Sequence, residues 1–133
     1  MPATVERLEG EPIVVATLTG HLTIADVLTV YQRTSELRQD MPAHIYRVTD
    51  VRATEADFAE MMKILKQAAE QSTSSTVDPT VTVVFVGKTG WAKLFIDAMR
   101  QQQRGGVQIP VYHKMDDALA YIRNEIQDKR EAN

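Results

Sequence analysis

The sequence contains no cysteine, which excludes disulfide bonds, thiolate nucleophiles and cysteine-ligated metal centres. The absence of disulfides fits an intracellular protein, and we expect this protein in the cytoplasm. The sequence also lacks a window of about 18 uninterrupted apolar residues. Its first residues lack the basic stretch and apolar core of a secretion signal. It therefore predicts neither secretion nor a membrane span.

Neither sign of charge dominates, and no block of basic residues is present. Fifteen Lys and Arg residues stand against 18 Asp and Glu residues, a formal net charge of -3, which disfavours charge-driven binding to nucleic acid or to anionic membranes. The hydrophobic fraction of 44% over 133 residues is enough to form one ordinary globular core. We expect a single domain over residues 1–133.

Residues 81–104 are the most informative part of the chain. The apolar run 81–86 breaks at Gly87-Lys88-Thr89-Gly90 and restarts as an amphipathic helix. A strand without polar alternation is usually covered on both faces and parallel to its neighbours. This segment therefore predicts the α/β class.

The rest of the chain predicts a hairpin followed by strand-helix units. The predicted strands are 4–8, 12–18, 44–49, 81–86 and 109–112, and the first two are joined by a glycine-containing connection. The predicted helices begin near Thr23, Thr54, Gly90 and Asp116. The expected fold is an N-terminal hairpin strand on a mostly parallel sheet of four to five strands with four helices.

Two features of this pattern concern the sheet faces. Strand 44–49 mixes polar and apolar residues on both faces, which favours an edge or an interface. Crossovers between parallel strands are right-handed, so strands in chain order would place all the helices on one face. That order would leave the other face for a partner.

Three segments resemble a known family. They are the helix start Gly20-His21-Leu22-Thr23-Ile24-Ala25-Asp26, the strand 81–87 running into Trp91, and Ile109-Pro110-Val111-Tyr112-His113 leading to residues 117–122. With the order and lengths of the elements, they resemble the SpoIIAA-like branch of the STAS superfamily, the fold of the anti-sigma-factor antagonists. The resemblance covers nearly the whole chain. It implies a non-enzymatic regulatory module that binds a protein partner and forms a homodimer.

The chain departs from that family at the turn that carries its phosphorylatable serine. Residues 50–58 contain no serine, and Thr54 is the only hydroxyl there. Threonine is strongly preferred as a helix N-cap, and Thr54 with Asp57 resembles a capping box, as Thr23 with Asp26 does. A phosphate at this turn could meet Arg52, but Asp50 and neighbouring acids would repel it. Asp50, Arg52 and Thr54 are nevertheless candidate binding residues.

The turn Gly87-Lys88-Thr89 is not a phosphate-binding P-loop, because the glycine required five residues earlier is Thr82. Lys88, Thr89 and the free amides near Gly90 could still hold an anion, although such turns are more often only turns. Trp91 could close a pocket beside them, but its place on the apolar stripe favours the core. We keep Lys88, Thr89 and Trp91 as candidate binding residues.

An alternative function is a carrier or sensor of a small apolar ligand. SpoIIAA-like domains are similar to the lipid-binding fold of the Sec14 type, and this similarity implies a pocket lined by Phe58, Met61, Met62 and Phe95, with Trp91 beside them. A methionine stripe at helical spacing is more often core filling. An enzyme ranks third. The three histidines lie in separate segments and no serine follows a strand, so neither a catalytic residue, a metal nor a cofactor is predicted.

Overall fold

The computed structural model describes residues 3–69, 80–88, 90 and 110–132. These residues form one five-stranded sheet with helices on both faces. The strands are β1 (Ala3–Arg7), β2 (Ile13–Gly20), β3 (Ile45–Thr54), β4 (Val81–Val86) and β5 (Val111–Tyr112). The helices are α1 (Ile24–Leu37), α2 (Phe58–Ala69) and α3 (Met115–Ala132), and a short 3-10 helix (Arg38–Asp40) follows α1. The predicted α/β class is confirmed, while the helix predicted near Gly90 falls outside the described residues.

The sheet has its strands in chain order, β1-β2-β3-β4-β5. β1 and β2 form the predicted antiparallel hairpin, in which the Leu8 amide donates to the Ile13 carbonyl over 2.9 Å. Gly10 turns the chain there with a φ of 77°, a value that costs glycine little. The pairs β2-β3, β3-β4 and β4-β5 are all parallel. The carboxyl ends of four parallel strands therefore meet at one edge of the sheet.

The start of α1 follows the sequence prediction. The Thr23 amide donates to the Asp26 carboxylate over 2.9 Å, and the Asp26 amide donates to the Thr23 hydroxyl over 3.2 Å. This reciprocal pair is a capping box, which satisfies two backbone donors that the helix itself leaves without partners.

The two faces of the sheet carry separate hydrophobic clusters. α1 and α2 are crossover helices on one face, where they pack over Ile45, Val83 and Phe85. α3 follows the last strand and connects no two parallel strands, so the handedness of crossovers does not determine its face. Its Ala118 and Ile122 lie in the cluster of the opposite face. The expectation that all helices share one face is therefore wrong: α3 packs against β3, β4 and β5 on the other face.

β3 is a central strand, and the prediction of an edge is wrong. It pairs with β2 on one side and with β4 on the other, and its residues 45–49 are all buried. The polar residues that suggested an edge are accommodated inside. The Arg47 guanidinium donates to the Thr34 hydroxyl of α1 over 3.2 Å and lies 5.1 Å from the centre of the Tyr31 ring. The polar side chain of Arg47 in this strand therefore contacts α1.

An ion pair ties α3 to the β1-β2 hairpin. Arg123 donates to both carboxylate oxygens of Glu11, over 2.9 and 3.1 Å. These hydrogen bonds lower the pKa of Glu11 from its ordinary value of 4.5; partial burial opposes the shift and the positive charge of Arg123 adds to it. The carboxylate form of Glu11 is therefore the one that the folded protein prefers.

We expect Glu11→Gln to lower the free energy of unfolding by at most about 0.5 kcal/mol at neutral pH, since the Arg123 side chain is 51% exposed and that of Glu11 32%, and water screens the pair. Because the folded pKa is lowered, the contribution is present above pH 4.5 and is lost as the pH falls through the folded pKa below it. Urea unfolding of a double-mutant cycle with Arg123→Gln measures it. A coupling energy that persisted at acid pH would contradict this ion-pair reading.

Candidate functional site

The candidate site lies at the edge where the parallel strands end, which is where open α/β sheets bind ligands. Three backbone and side-chain contacts join the turns there. The Glu55 amide donates to the Gly20 carbonyl over 2.9 Å, and the Gly87 amide donates to the Tyr112 carbonyl over 2.8 Å. The Lys88 ammonium group donates to the Ala56 carbonyl over 3.1 Å. These hydrogen bonds therefore connect the end of β2 to the turn after β3, the turn after β3 to the turn after β4, and the turn after β4 to the end of β5.

Asp50 and Arg52 form a polar pair at this edge that is joined by three hydrogen bonds. The Arg52 Nε and Nη2 atoms donate to the two oxygens of Asp50 over 3.0 and 2.9 Å, and the Arg52 amide also donates to Asp50, over 3.1 Å. A third guanidinium nitrogen, Nη1, reaches the carbonyl of His113 at 3.5 Å. The side chain of Arg52 is 45% exposed and that of Asp50 is 13% exposed. The guanidinium is thus held in one orientation while part of it faces solvent.

The contacts with Asp50 favour the charged form of Arg52. Its hydrogen bonds to Asp50 raise the pKa of the Arg52 guanidinium, burial opposes that shift, and the negative charge of Asp50 reinforces it. The group is therefore charged at every physiological pH. An arginine fixed by a carboxylate loses less side-chain freedom on binding than a mobile one.

The location of the pair differs from the sequence expectation. Both residues were expected in the turn before the second helix, but they lie inside β3, which runs on to Thr54. Asp50 pairs in register with Val86, and Val86 belongs to the cluster under α3. The pair therefore belongs to the α3 face, and its contact with His113 spans 61 residues of sequence. No local pattern could have indicated that contact.

Thr54 is not the N-cap of α2, and this prediction is wrong. The Thr54 hydroxyl donates to the Val51 carbonyl over 2.8 Å, and the residue is only 5% exposed. The cap is Asp57, whose carboxylate accepts the Glu60 amide over 2.8 Å. Asp57 followed by Glu60 also has the spacing of a capping box, so the sequence carried the correct signal three residues further on.

We expect Thr54→Val to lower the free energy of unfolding by about 1 kcal/mol, because it removes a buried hydrogen bond while keeping the shape of the side chain. Urea unfolding measures the change. Thr19→Val, which makes the same change at an exposed threonine of β2, reports the background effect of the substitution. A Thr54→Val protein as stable as the parent would show that the hydroxyl contributes nothing.

The other predicted binding residues fall into two groups. Lys88 lies at this edge, half-buried, with its ammonium group on the Ala56 carbonyl. Gly90 has a φ of 90°. Thr89, Trp91 and Phe95 lie outside the described residues. Of the predicted set, the structure brings Asp50 and Arg52 together.

The predicted apolar pocket residues belong to the core of the α1 and α2 face. Met61 is fully buried there with Ile64 and Leu65. Phe58 and Met62 are half-buried and pack against the same cluster. Met61 therefore fills the core, as methionine on an apolar helix stripe commonly does.

Within the described ranges, no three His, Asp or Glu side chains gather as metal ligands would. Among the helices that the structure describes, none combines the length and apolar character needed to cross a membrane.

Solved structures decide the fold. An uncharacterized protein from Shewanella loihica PV-4, of the DUF3478 family and with a SpoIIAA-like fold, is 13% identical to this chain. The match covers 90% of each chain with a TM-score of 0.56. The chain has a SpoIIAA-like fold.

A second solved structure that matches is an anti-sigma factor antagonist from Mycobacterium paratuberculosis, which is 21% identical with a TM-score of 0.50. It covers 91% of this chain and 92% of the other. No protein-family model matches the sequence, and no curated protein matches it. The SpoIIAA-like fold inferred from the sequence is thus confirmed by structure, at identities that show the fold alone.

Proposed function

We propose that this protein is a non-enzymatic regulatory module of the cytoplasm, a homodimer that binds a protein partner through the carboxyl edge of its sheet. The observation that carries the proposal is the Asp50-Arg52 pair. Arginine is enriched among the residues that dominate protein interfaces. The Arg52 guanidinium is already held by hydrogen bonds and remains 45% exposed, so binding a partner would cost little side-chain entropy.

The likeness to an anti-sigma factor antagonist supports the same class of function. Regulation by a phosphoserine in the turn after β3 is not part of the proposal, because residues 50–58 contain no serine. Thr54 does not replace it. Its hydroxyl is buried and already donates to Val51, so a kinase would have to unfold this end of β3 to reach it.

Charge reversal at Arg52 tests the proposed surface. The tagged protein is cross-linked and purified from its own cells, and the captured proteins are quantified by mass spectrometry. We expect Arg52→Glu to reduce the recovery of a specific partner at least about tenfold, since an opposed charge replaces an interface arginine. Arg33→Glu is the matched control, because Arg33 is an exposed arginine on α1, away from this edge.

Two outcomes would contradict the proposal. Equal recovery with Arg52→Glu and with the parent would place the partner elsewhere. Recovery lost equally with Arg33→Glu would show a general charge effect. Thermal unfolding of both variants verifies that each remains folded.

The alternative function, a carrier of a small apolar ligand, draws on one observation. Phe58 and Met62 remain half-exposed beside the buried Met61, so apolar surface reaches the outside of α2. Native mass spectrometry of gently purified protein distinguishes the two functions. A discrete excess mass that disappears on denaturation would favour the carrier over the partner-binding module.

A further inference from the structure

β1 is an edge strand of the described sheet. It pairs with β2 alone, and its residues Thr4, Glu6 and Arg7 are exposed. An edge strand presents backbone amides and carbonyls that another strand can pair with.

The hairpin determines which backbone groups face outward. Opposite residues of an antiparallel pair alternate between exchanging hydrogen bonds and exchanging none. The Leu8 amide donates to the Ile13 carbonyl, and the register continues as Arg7 opposite Val14 and Glu6 opposite Val15. Thr4 and Glu6 therefore bond to β2, like Leu8. Ala3, Val5 and Arg7 direct their amides and carbonyls away from the sheet.

We propose that β1 pairs antiparallel with β1 of a second copy, about a two-fold axis that passes through Val5, to form a continuous ten-stranded sheet. This proposal rests on the homodimer of the proposed function and names its interface. With the axis at Val5, Val5 faces Val5 of the second copy and Ala3 faces Arg7. All three outward-directed residues are then paired, and each pair exchanges two hydrogen bonds.

The side chains select this register over its neighbours. An axis at Glu6 would place two glutamates directly opposite each other, and an axis at Arg7 would oppose two arginines, which is destabilising. An axis at Val5 places Glu6 opposite Thr4, whose hydroxyl can donate to the carboxylate. Axes at other residues of β1 leave at least one of the three outward residues without a partner inside the strand.

The same register continues the hydrophobic core. Val5 is half-buried and packs against the cluster under α1 and α2. Opposite residues of paired strands lie on the same face of the sheet. The two copies of Val5 therefore meet beside that cluster, and each covers apolar surface of the other. An interface this short is expected to give a dimer with a dissociation constant on the order of micromolar.

Proline at position 5 tests the proposal because it removes one amide that faces outward and none that bonds to β2. Sedimentation and native mass spectrometry are run over a concentration series. We expect the parent and Val5→Ala, which keeps the amide, to dimerise. We expect Val5→Pro to raise the dissociation constant at least about tenfold, because each dimer loses two hydrogen bonds at its axis. Circular dichroism verifies that Val5→Pro retains the fold.

A second variant gives a result even if Val5→Pro fails to fold. The chain has no cysteine, so Val5→Cys carries a single thiol at the axis. Opposite hydrogen-bonded residues have α-carbons about 5.5 Å apart, within the range that a disulfide spans. We expect Val5→Cys to form a disulfide-linked dimer under mild oxidation, and the exposed α2 control Lys63→Cys to form no disulfide-linked dimer under the same conditions.

The outcomes separate this proposal from the proposed function. A parent protein that stays monomeric at high micromolar concentration overturns both the homodimer and the β1 interface. It does not contradict partner binding at the carboxyl edge around Arg52. A dimer that survives in folded Val5→Pro overturns the β1 interface alone. Equal cross-linking of Val5→Cys and Lys63→Cys does the same.

Discussion

Arg47→Ala is expected to lower the free energy of unfolding by about 3 kcal/mol, as large-to-small substitutions in a core do. Arg47 is 1% exposed and is the largest fully buried side chain of the described residues. Its guanidinium meets the Thr34 hydroxyl and the Tyr31 ring. Alanine would leave a cavity between β3 and α1 and would remove both contacts.

The matched substitution is Arg47→Met, which fills much of the same volume without a charge. Replacing a buried charged group by an apolar one of similar size is often neutral or stabilising. We therefore expect Arg47→Met to cost less than about 1.5 kcal/mol. Thr34 keeps its own hydrogen bond, because its hydroxyl donates to the Val30 carbonyl over 2.7 Å.

Urea unfolding of the three proteins decides between volume and charge. A large loss with alanine and a small one with methionine would show that Arg47 stabilises the fold chiefly by filling space. If methionine cost as much as alanine, the charge and its hydrogen bonds would be the larger contribution, and the volume argument would be wrong.

Ile122→Ala is expected to lower the free energy of unfolding by about 3 kcal/mol, because it opens a cavity under α3. Ile122 is fully buried in the cluster with Val48 and Val84. That cluster is where α3 covers the sheet face left open by the crossover helices. The substitution therefore measures how firmly α3 is docked.

Ile126→Ala is the control, since it makes the same change one helical turn later at a half-buried position. We expect it to cost about 1 kcal/mol, because a partly exposed site loses less apolar burial. Thermal or urea unfolding followed by circular dichroism measures both. Equal and small losses at the two positions would mean that α3 does not pack on the sheet as described.

The capping residues show how far local sequence rules reach. The box at Thr23 and Asp26 was predicted and is present, because both partners lie within four residues of each other. At Thr54 the same rule failed. Two overlapping patterns compete there, and β3 continues to Thr54 because its residues pair with β2 as far as Gly20. Pairing with a distant strand, not the local pattern, chose Asp57 as the cap.

β3 shows the same limit for burial. Arg47 and Thr49 made the strand resemble an edge, since charged residues are rarely buried without partners. Arg47 can be buried because its guanidinium contacts Thr34 and Tyr31 of α1. Only the packing of α1 over β3 brings them together.

By itself the sequence determined the α/β class, the hairpin and the first helix cap, because these depend on short-range periodicity and spacing. Its resemblance to a known family implied the SpoIIAA-like fold. The tertiary structure decided the central place of β3, the cover that α3 provides and the contact of Arg52 with His113. Those features depend on which residues distant in the chain become neighbours when strands pair and helices pack. Local sequence patterns do not show which distant residues will become neighbours.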